Sequence, residues 1–161
     1  MLHAMTDHFI THGHDVTILA RDPDKLNALV KNYPEHKNSH VIAQDYTETD
    51  DFIASLRHAG PFDIVICWMH SLARDSLSAL LELLEAQSHR AQFYHIKGLS
   101  YKGLAKDALL KDKNNLDYAE IILGFKIEKG TQRWLTHTEI AQGVVDAVES
   151  GSAKSVIGLE T

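Results

Sequence analysis

The sequence predicts a three-layer α/β/α fold in which helices cover both faces of a mostly parallel sheet. Short apolar runs typical of buried strands alternate with segments whose apolar residues recur at helical spacing. Strands that alternate with helices form parallel sheets, because each crossover helix returns the chain to the same edge. The alternation starts on a helix, since no apolar strand-like run precedes the first helical pattern.

The first part of the chain follows this alternation without interruption. Residues 1–12 show helical spacing, Gly13 breaks the pattern, and the apolar run at 16–19 predicts a buried strand. Asp22 and Pro23 are typical of the cap and the first residue of the next helix. Further helices are predicted over 25–31, 51–57 and 72–86, and further strands over 41–43, 62–67 and 93–96.

The last part of the chain predicts a hairpin, a helix and a closing strand. Segment 128–131 is turn-like, and Thr136 and Glu139 have the spacing of a capping box. Apolar strands at the end of a sheet are often covered by another chain, so a homodimer is a further hypothesis. The predicted elements are a strand over 121–127, its return over 132–135, a helix around 140–148 and a closing strand over 155–158.

This order of elements predicts a Rossmann-like fold that is N-terminally truncated. In the complete dinucleotide-binding unit, a central strand runs into a glycine-rich turn that places pyrophosphate on the next helix. The sequence contains no G-x-G-x-x-G, and it begins about where that turn would end. A misplaced start codon and a natural truncation both produce this pattern. We therefore expect the neighbouring strands to lack a partner, and dinucleotide binding to be weak.

Composition indicates one domain, residues 1–161, and excludes several classes of function. A 44% hydrophobic content suits one globular core, and a net charge of −6 with interspersed signs argues against a nucleic-acid surface. Cys67 is the only cysteine, so no internal disulfide is expected and a cytoplasmic location is the default. No stretch is apolar enough to span a membrane. The 11 histidines lack the spacing of a zinc motif, so no metal is predicted.

Several segments carry a resemblance to a known family. The strand, the arginine turn and the helix start at 16–26 are followed by the segments 44–47 and 63–66. Together they resemble the short-chain dehydrogenase/reductase superfamily, especially its compact atypical members. Segments 118–125 and 133–140 are similar to small bacterial proteins labelled short-chain dehydrogenases, which begin with a strand and a glycine-rich turn. The resemblance implies a nicotinamide cofactor and an oxidoreductase activity.

The resemblance also implies roles for residues that follow the first two strands. An arginine at the position of Arg21 favours the 2′-phosphate of NADP over the free ribose of NAD. The alternative is a surface arginine at a helix start. Asp45, with the adjacent Tyr46, corresponds to the segment that holds the adenine amino group. Asp45 alternatively caps the helix after Thr47.

The third strand end departs from the family pattern. His70 and Ser71 stand where the family usually has Asn-Ala-Gly beside the nicotinamide ribose. They are the candidates for that contact here.

The standard catalytic pair of the family is absent. Its tyrosine exchanges a proton with the substrate oxygen, and a lysine four positions later lowers the pKa of the tyrosine. Tyr33 and Lys37 have this spacing but fall in a predicted loop, remote from the expected site. Tyr94 precedes Lys97 by only three positions, so this pair does not fit.

A substitute group is predicted at the end of the strand over 93–96. Tyr94, His95, Lys97 and Ser100 lie where substrate-facing residues emerge, and a histidine can shuttle protons near neutral pH. The alternative is a packed tyrosine, a locally bonded histidine and a solvated lysine. Two hypotheses follow: an NADP-linked oxidoreductase acting on a small carbonyl or alcohol, or a non-catalytic dinucleotide-sensing or interaction module.

Overall fold

The computed structural model describes residues 3–31, 38–101, 103 and 105–159. Helices and strands alternate as the α/β prediction requires. The elements are α1 (His3–Thr11), β1 (Val16–Ala20), α2 (Pro23–Val30), β2 (Ser39–Ala43), α3 (Thr49–Ala59), β3 (Ile64–Cys67), α4 (Arg74–Glu85), β4 (Ala91–Gly98), α5 (Lys106–Leu109), β5 (Leu116–Leu123), β6 (Phe125–Glu128), β7 (Thr131–Trp134), α6 (His137–Ser150) and β8 (Lys154–Ile157).

The strands form a parallel four-stranded sheet, a parallel pair and an antiparallel hairpin. The four-stranded sheet has the order β3-β4-β5-β8, β1 pairs with β2, and β6 pairs with β7. In the register of β4 and β5, Tyr94 lies beside Ala119 and His95 beside Glu120. All four strands of the larger sheet therefore end at the same edge.

Two apolar clusters, one on each face of the larger sheet, make the three layers. One cluster joins α3 and α4 to Phe93 and Tyr118. The other joins α1 and α6 to Tyr94 and Ile121. Neighbouring residues of a strand point to opposite faces, so Phe93 and Tyr94 enter different clusters.

The helix signals in the sequence are confirmed. The Asp22 carboxylate accepts hydrogen bonds from the backbone N–H groups of Asp24 and Lys25, and Pro23 is the first residue of α2. At the start of α6, the Thr136 hydroxyl accepts from the Glu139 N–H, and the Glu139 carboxylate accepts from the Thr136 N–H. These bonds satisfy N–H groups that have no partner within the helix.

The prediction of a single strand over 121–127 is wrong, because the structure has two strands there. β5 ends at Leu123 and β6 begins at Phe125, with Gly124 between them. A Cβ at Gly124 would lie 2.0 Å from the carbonyl oxygen of Leu159, which pairs with Phe125. This close approach of two backbones requires glycine and turns the chain into the predicted hairpin, which is confirmed.

The two parallel sheets are not hydrogen-bonded to each other. Among the described residues, β1 pairs only with β2, and β3 pairs on one side only, with β4. Met1 and Leu2 of the first predicted helix lie outside the described residues, and α1 is observed from His3. Within the described ranges, no helix is both long and apolar enough to cross a membrane.

Candidate functional site

A cleft of about 440 Å³ opens where β4 and β5 end. Its polar lining comes from Lys97 on β4, Glu120 on β5 and the loop residue Tyr101, with Lys106 at the start of α5. In open parallel sheets, ligands bind outside the carboxyl ends of the strands. The position of the cleft makes it the candidate active site.

Successive side chains of a strand point to opposite faces of the sheet, so the predicted group of Tyr94, His95 and Lys97 on β4 is divided between the two faces. His95 and Lys97 are two positions apart and share a face. Tyr94 points to the opposite face, where its hydroxyl donates to the carbonyl oxygen of Val148 on α6, 3.3 Å away. The structure thus brings His95 and Lys97 together and leaves Tyr94 in the layer of α6.

His95 is fully buried beneath the cleft. Its Nδ1 lies 2.7 Å from the hydroxyl oxygen of Tyr118, and its Nε2 has no hydrogen-bond partner among the described residues. Burial, and to a smaller extent the nearby charge of Lys97, lower the pKa of His95 to about 4, although the charge of Glu120 opposes them. The imidazole is therefore neutral at neutral pH. Burial raises the pKa of the Tyr118 phenol, which stays protonated and can donate to His95.

A half-buried ion pair joins the two strands at the mouth of the cleft. The Lys97 ammonium donates to the Glu120 carboxylate, and only 12% and 19% of these side chains are exposed. The same ammonium lies 5.2 Å from the centroid of the Tyr101 ring and 5.8 Å from that of Tyr118. Glu120 and the two aromatic faces therefore hold a cation at a fixed place beside the cleft.

Tyr101 presents a phenol to the cleft. Its ring meets the His95 ring edge-to-face, with centroids 5.2 Å apart. A Cβ at position 103 would lie 1.9 Å from the Tyr101 hydroxyl, so Gly103 leaves the room that this hydroxyl occupies. Burial raises the pKa of Tyr101. The phenol is thus protonated at neutral pH and suited to donate a proton rather than to accept one.

Arg21 and Asp45 meet at the carboxyl edge of the smaller sheet. Arg21 directly follows β1, its side chain is 65% exposed, and its guanidinium lies 3.7 Å from the Asp45 carboxylate. That carboxylate also accepts from the backbone N–H and the hydroxyl of Thr47, at 2.9 and 2.8 Å. These bonds, and then the charge of Arg21, lower the pKa of Asp45. Asp45 closes a local turn and does not cap α3, which begins at Thr49.

The remaining predicted cofactor residues follow β2 and β3 along the chain. Tyr46 is half-buried and packs against the cluster of α3 and α4. His70 is exposed and Ser71 half-exposed in the turn after β3, where the His70 carbonyl accepts from the N–H of Ala73. The accidental pair Tyr33 and Lys37 lies outside the described residues.

Half of the cleft is not evident from the sequence. Tyr118 and Glu120 lie inside an apolar strand whose register with β4 the sequence does not give. The sequence signal for them is their spacing of two positions, which is the same as that of His95 and Lys97 and places each pair on one face of its strand. Tyr101 has no lysine four positions later, so a search for the helical pair does not identify it, although it lines the cleft from a loop.

The class of protein defined here is a Rossmann-type α/β domain with a polar cleft at its carboxyl edge. Its fold is that of the short-chain dehydrogenase/reductases. The chain matches a ketone-specific alcohol dehydrogenase from Comamonas testosteroni with a TM-score of 0.70 at 14% identity, over 98% of this chain and 82% of that one. A Brucella melitensis short-chain dehydrogenase/reductase matches with a TM-score of 0.69 at 14% identity, over 95% and 87% of the two chains.

A third solved structure extends the comparison to an enzyme in complex with NAD. UDP-glucuronic acid 4-epimerase from Bacillus cereus, in complex with UDP-glucuronic acid and NAD, matches with a TM-score of 0.64 at 12% identity, over 99% of this chain and 74% of that one. No family profile matches the sequence, and no curated protein is significantly similar to it. The likeness therefore establishes the fold.

Proposed function

We propose that this chain is an NADP-linked oxidoreductase of the short-chain dehydrogenase/reductase type, acting on a small carbonyl compound or alcohol. The observation that carries the proposal is the cleft at the ends of β4 and β5. There a protonated phenol, Tyr101, lies beside an ammonium, Lys97, that Glu120 holds in place. The neighbours in fold include dehydrogenases and reductases, and the epimerase among them is in complex with NAD.

The residues along the carboxyl edge fit a dinucleotide in extended form. Arg21 supplies a guanidinium, the group that pairs best with a 2′-phosphate, and Asp45 supplies an acceptor for an adenine amino group. His70 and Ser71 follow β3, between these residues and the cleft in the expected order of strands, and would bind the nicotinamide ribose. When bound, the cofactor supplies or accepts the hydride.

The chain's own residues would handle the proton and the charge on the substrate oxygen. In the direction of reduction, the Tyr101 hydroxyl donates a proton to that oxygen, and the Lys97 ammonium stabilises its developing negative charge. His95 acts as a positioning residue, because its ring supports that of Tyr101. Tyr101 takes the place of Tyr94 in the predicted group, since the Tyr94 hydroxyl lies on the other face of the sheet.

Nucleotide titrations test the cofactor part of the proposal. Replacing Arg21 with alanine should weaken NADPH binding about tenfold and leave NADH binding unchanged, because only NADPH carries the phosphate that the guanidinium pairs with. Calorimetric titration of the native chain and of Arg21→Ala with both nucleotides measures this. Arg57→Ala, in the last turn of α3, is the matched control. An equal loss for NADH and NADPH would refute the assignment of Arg21.

Two tyrosine variants test the chemical part. Tyr101→Phe removes the proposed donor and should lower NADPH oxidation by a panel of small ketones and aldehydes about a hundredfold or more. NADPH binding should not change. Tyr94→Phe removes a hydroxyl of the same kind from the other face of the sheet and should retain activity. Full activity of Tyr101→Phe would exclude this phenol as the proton donor.

The second candidate function is a non-catalytic dinucleotide-sensing or interaction module. Two observations favour it: Glu120 already neutralises Lys97, and burial raises the pKa of the Tyr101 phenol. A protein that binds NADPH through Arg21 but oxidises it with none of the carbonyl compounds would support this second hypothesis.

A further inference from the structure

The cleft contains a second ammonium group, which the proposed proton transfer does not use. Lys106 lines the cleft from the start of α5 and is exposed to solvent. Its ammonium lies 5.7 Å from the centroid of the Tyr118 ring, and the Lys97 ammonium lies 5.8 Å from the same centroid. A cation at this distance from an aromatic ring is attracted to it. The ring of one buried tyrosine therefore helps to place both cations at the cleft.

The two ammonium groups differ in their negative partners. Lys97 forms an ion pair with Glu120, which supplies the only carboxylate among the described residues that line the cleft. Within the described part of the chain, Lys106 forms no ion pair. Since Glu120 is already paired with Lys97, the cleft retains one positive charge that no lining carboxylate compensates.

The sign of this charge is opposite to that of the protein as a whole. The chain carries a formal net charge of −6. Arg74, at the start of α4, adds a further positive charge near Tyr101: burial raises the pKa of that phenol, and the charge of Arg74 opposes the effect. A cleft lined by one sign of charge concentrates small ions of the other sign. The field in the cleft therefore favours an anionic ligand over a neutral one.

The size and the apolar walls of the cleft indicate what kind of anion it takes. A volume of about 440 Å³ suits a small molecule, and Leu99 and Ile122 contribute apolar surface between the polar groups. One uncompensated ammonium matches an anion of a single negative charge. A carboxylate carries one such charge, whereas a phosphate monoester carries about −1.5 to −2 at pH 7. The cleft therefore fits a short apolar chain that ends in a carboxylate.

We propose that Lys106 binds the carboxylate of a small oxo acid, whose carbonyl oxygen lies at Tyr101 and Lys97. The identity of the substrate rests on the proposed oxidoreductase function, whereas the binding of a carboxylate does not. In the direction of reduction, the carbonyl carbon receives the hydride of NADPH, which becomes NADP, and the carbonyl oxygen receives the proton of Tyr101, which solvent replaces. The product is a hydroxy acid, and its carboxylate is unchanged and stays paired with Lys106.

Binding of oxo acids without any nucleotide tests the carboxylate site. The probes are pyruvate, acetoacetate and levulinate, in which the carbonyl and the carboxylate are progressively farther apart, and the controls are their uncharged primary amides. Nuclear magnetic resonance of the backbone amides follows the titrations. At least one oxo acid should bind about tenfold more tightly than its amide, because an ammonium pairs only with the acid, and should shift the signals of Gly98, Leu99 and Gly103.

Three results of these titrations would overturn the proposal. The first is equal binding of each acid and its amide, and the second is a set of shifted signals that excludes the cleft. The third is tighter binding of inorganic phosphate than of any oxo acid, which would show that the cleft selects a more highly charged anion.

A matched pair of variants assigns the effect to Lys106. Lys106→Met removes the ammonium, keeps an apolar stem, and should weaken binding of the best oxo acid about tenfold. Lys106→Arg keeps the charge and should retain most of the affinity. Lys111→Met removes the same charge from an exposed residue that does not line the cleft, and should have little effect. Equal losses in Lys106→Met and Lys111→Met would show that the anion responds only to the net charge of the protein.

Steady-state kinetics with NADPH separates this inference from the proposed function. Lys106→Met should raise KM for the best oxo acid about tenfold with kcat nearly unchanged, because the lysine binds the substrate and the transition state equally. Reduction of butanone, a neutral ketone, should not change in this variant. If the native chain reduces butanone as efficiently as every oxo acid, the oxidoreductase function stands and this inference fails. If an oxo acid binds through Lys106 but no carbonyl compound is reduced, the carboxylate site stands and the oxidoreductase function fails.

Discussion

His95 shows how one buried side chain sets the chemistry of the cleft. It is fully buried, carries one hydrogen bond to Tyr118, and packs its ring against Tyr101. Burial of a group with an unsatisfied nitrogen costs stability. A polar group kept at such a cost in the floor of a cleft is typical of a functional site. Tyr101 depends on His95 for its position, and Lys97 is fixed by Glu120.

The stability of the protein should depend on pH through His95. Its pKa is about 4 in the folded protein, against an ordinary value of 6.5 for a solvated histidine, so below about pH 6.5 the unfolded chain binds a proton that the folded one does not. The free energy of unfolding should therefore fall as the pH decreases between these values, by about 3 kcal/mol in total. Above pH 6.5 this contribution is fully present. Lys97 and Glu120, which form an ion pair with each other, are the charged groups that face the imidazole.

Urea unfolding at several pH values between about 7 and 4 measures this dependence. His95→Gln keeps a polar side chain but cannot be protonated, so the difference between the two proteins isolates His95 from the other histidines. Parallel pH profiles of the native chain and the variant would show that His95 does not titrate abnormally.

The residues of the site were only partly predictable from sequence. Arg21, Asp45, His95 and Lys97 stand at strand ends, and a parallel sheet places such positions at one edge. Tyr118 escaped prediction because its partnership with His95 depends on the register of β4 and β5. Periodicity gives the face of a residue but not its neighbour on the next strand.

At the scale of elements, one carboxylate connects three segments. Glu139 at the start of α6 completes the capping box with Thr136, and it also accepts hydrogen bonds from Arg133 on β7 and Lys126 on β6. Hydrogen bonds from Arg133, followed by those from Lys126 and the Thr136 backbone, lower the pKa of Glu139. The hairpin is therefore fastened to the end of the helix that it precedes.

Loss of Glu139 should destabilise the protein more than loss of the cap alone. Thr136→Ala removes one capping bond and should lower the free energy of unfolding by about 1 kcal/mol. Glu139→Gln keeps the shape but removes the charge that holds Arg133 and Lys126, so its thermal midpoint should fall below that of Thr136→Ala. Gln142→Ala, on the same helix and bonded only to Asp146, is the control and should change little. A midpoint for Glu139→Gln at or above that of Thr136→Ala would refute this order.

Element boundaries depended on information that local pattern lacks. The caps at Asp22 and Thr136 were predictable because a cap is a contact between residues close in sequence. The break at Gly124 was not, because the reason for it is the distant Leu159 backbone. Apolar periodicity continues through Gly124 and gives no sign of the turn.

At the scale of the whole molecule, the fold class followed from the alternation of elements, and the division of the sheet followed from the order of the first helix and strand. Both depend on the order of many elements along the sequence, so an error in the boundary of one element does not change them. The consequence of the division is energetic. The four-stranded sheet has two buried strands, β4 and β5, whereas β1 and β2 form a pair without further strands among the described residues.

The two sheets should therefore open with different free energies. An isolated pair of strands is marginally stable, and the residues of β1 are only half-buried. The amides of Val16 and Ile18, which face β2, should exchange through a partial opening of lower free energy and weaker urea dependence than global unfolding. The amides on the side of β4 that pairs with β5 should exchange only through global unfolding, because the residues around them are completely buried. Native-state hydrogen exchange at increasing urea concentration distinguishes the two, with β8, an edge strand of the larger sheet, as the comparison. If β1 and β4 shared one opening free energy and one urea dependence, helix packing such as that of α1 on β1 and on α6 would join the two sheets into a single cooperative unit, although the sheets are not hydrogen-bonded to each other.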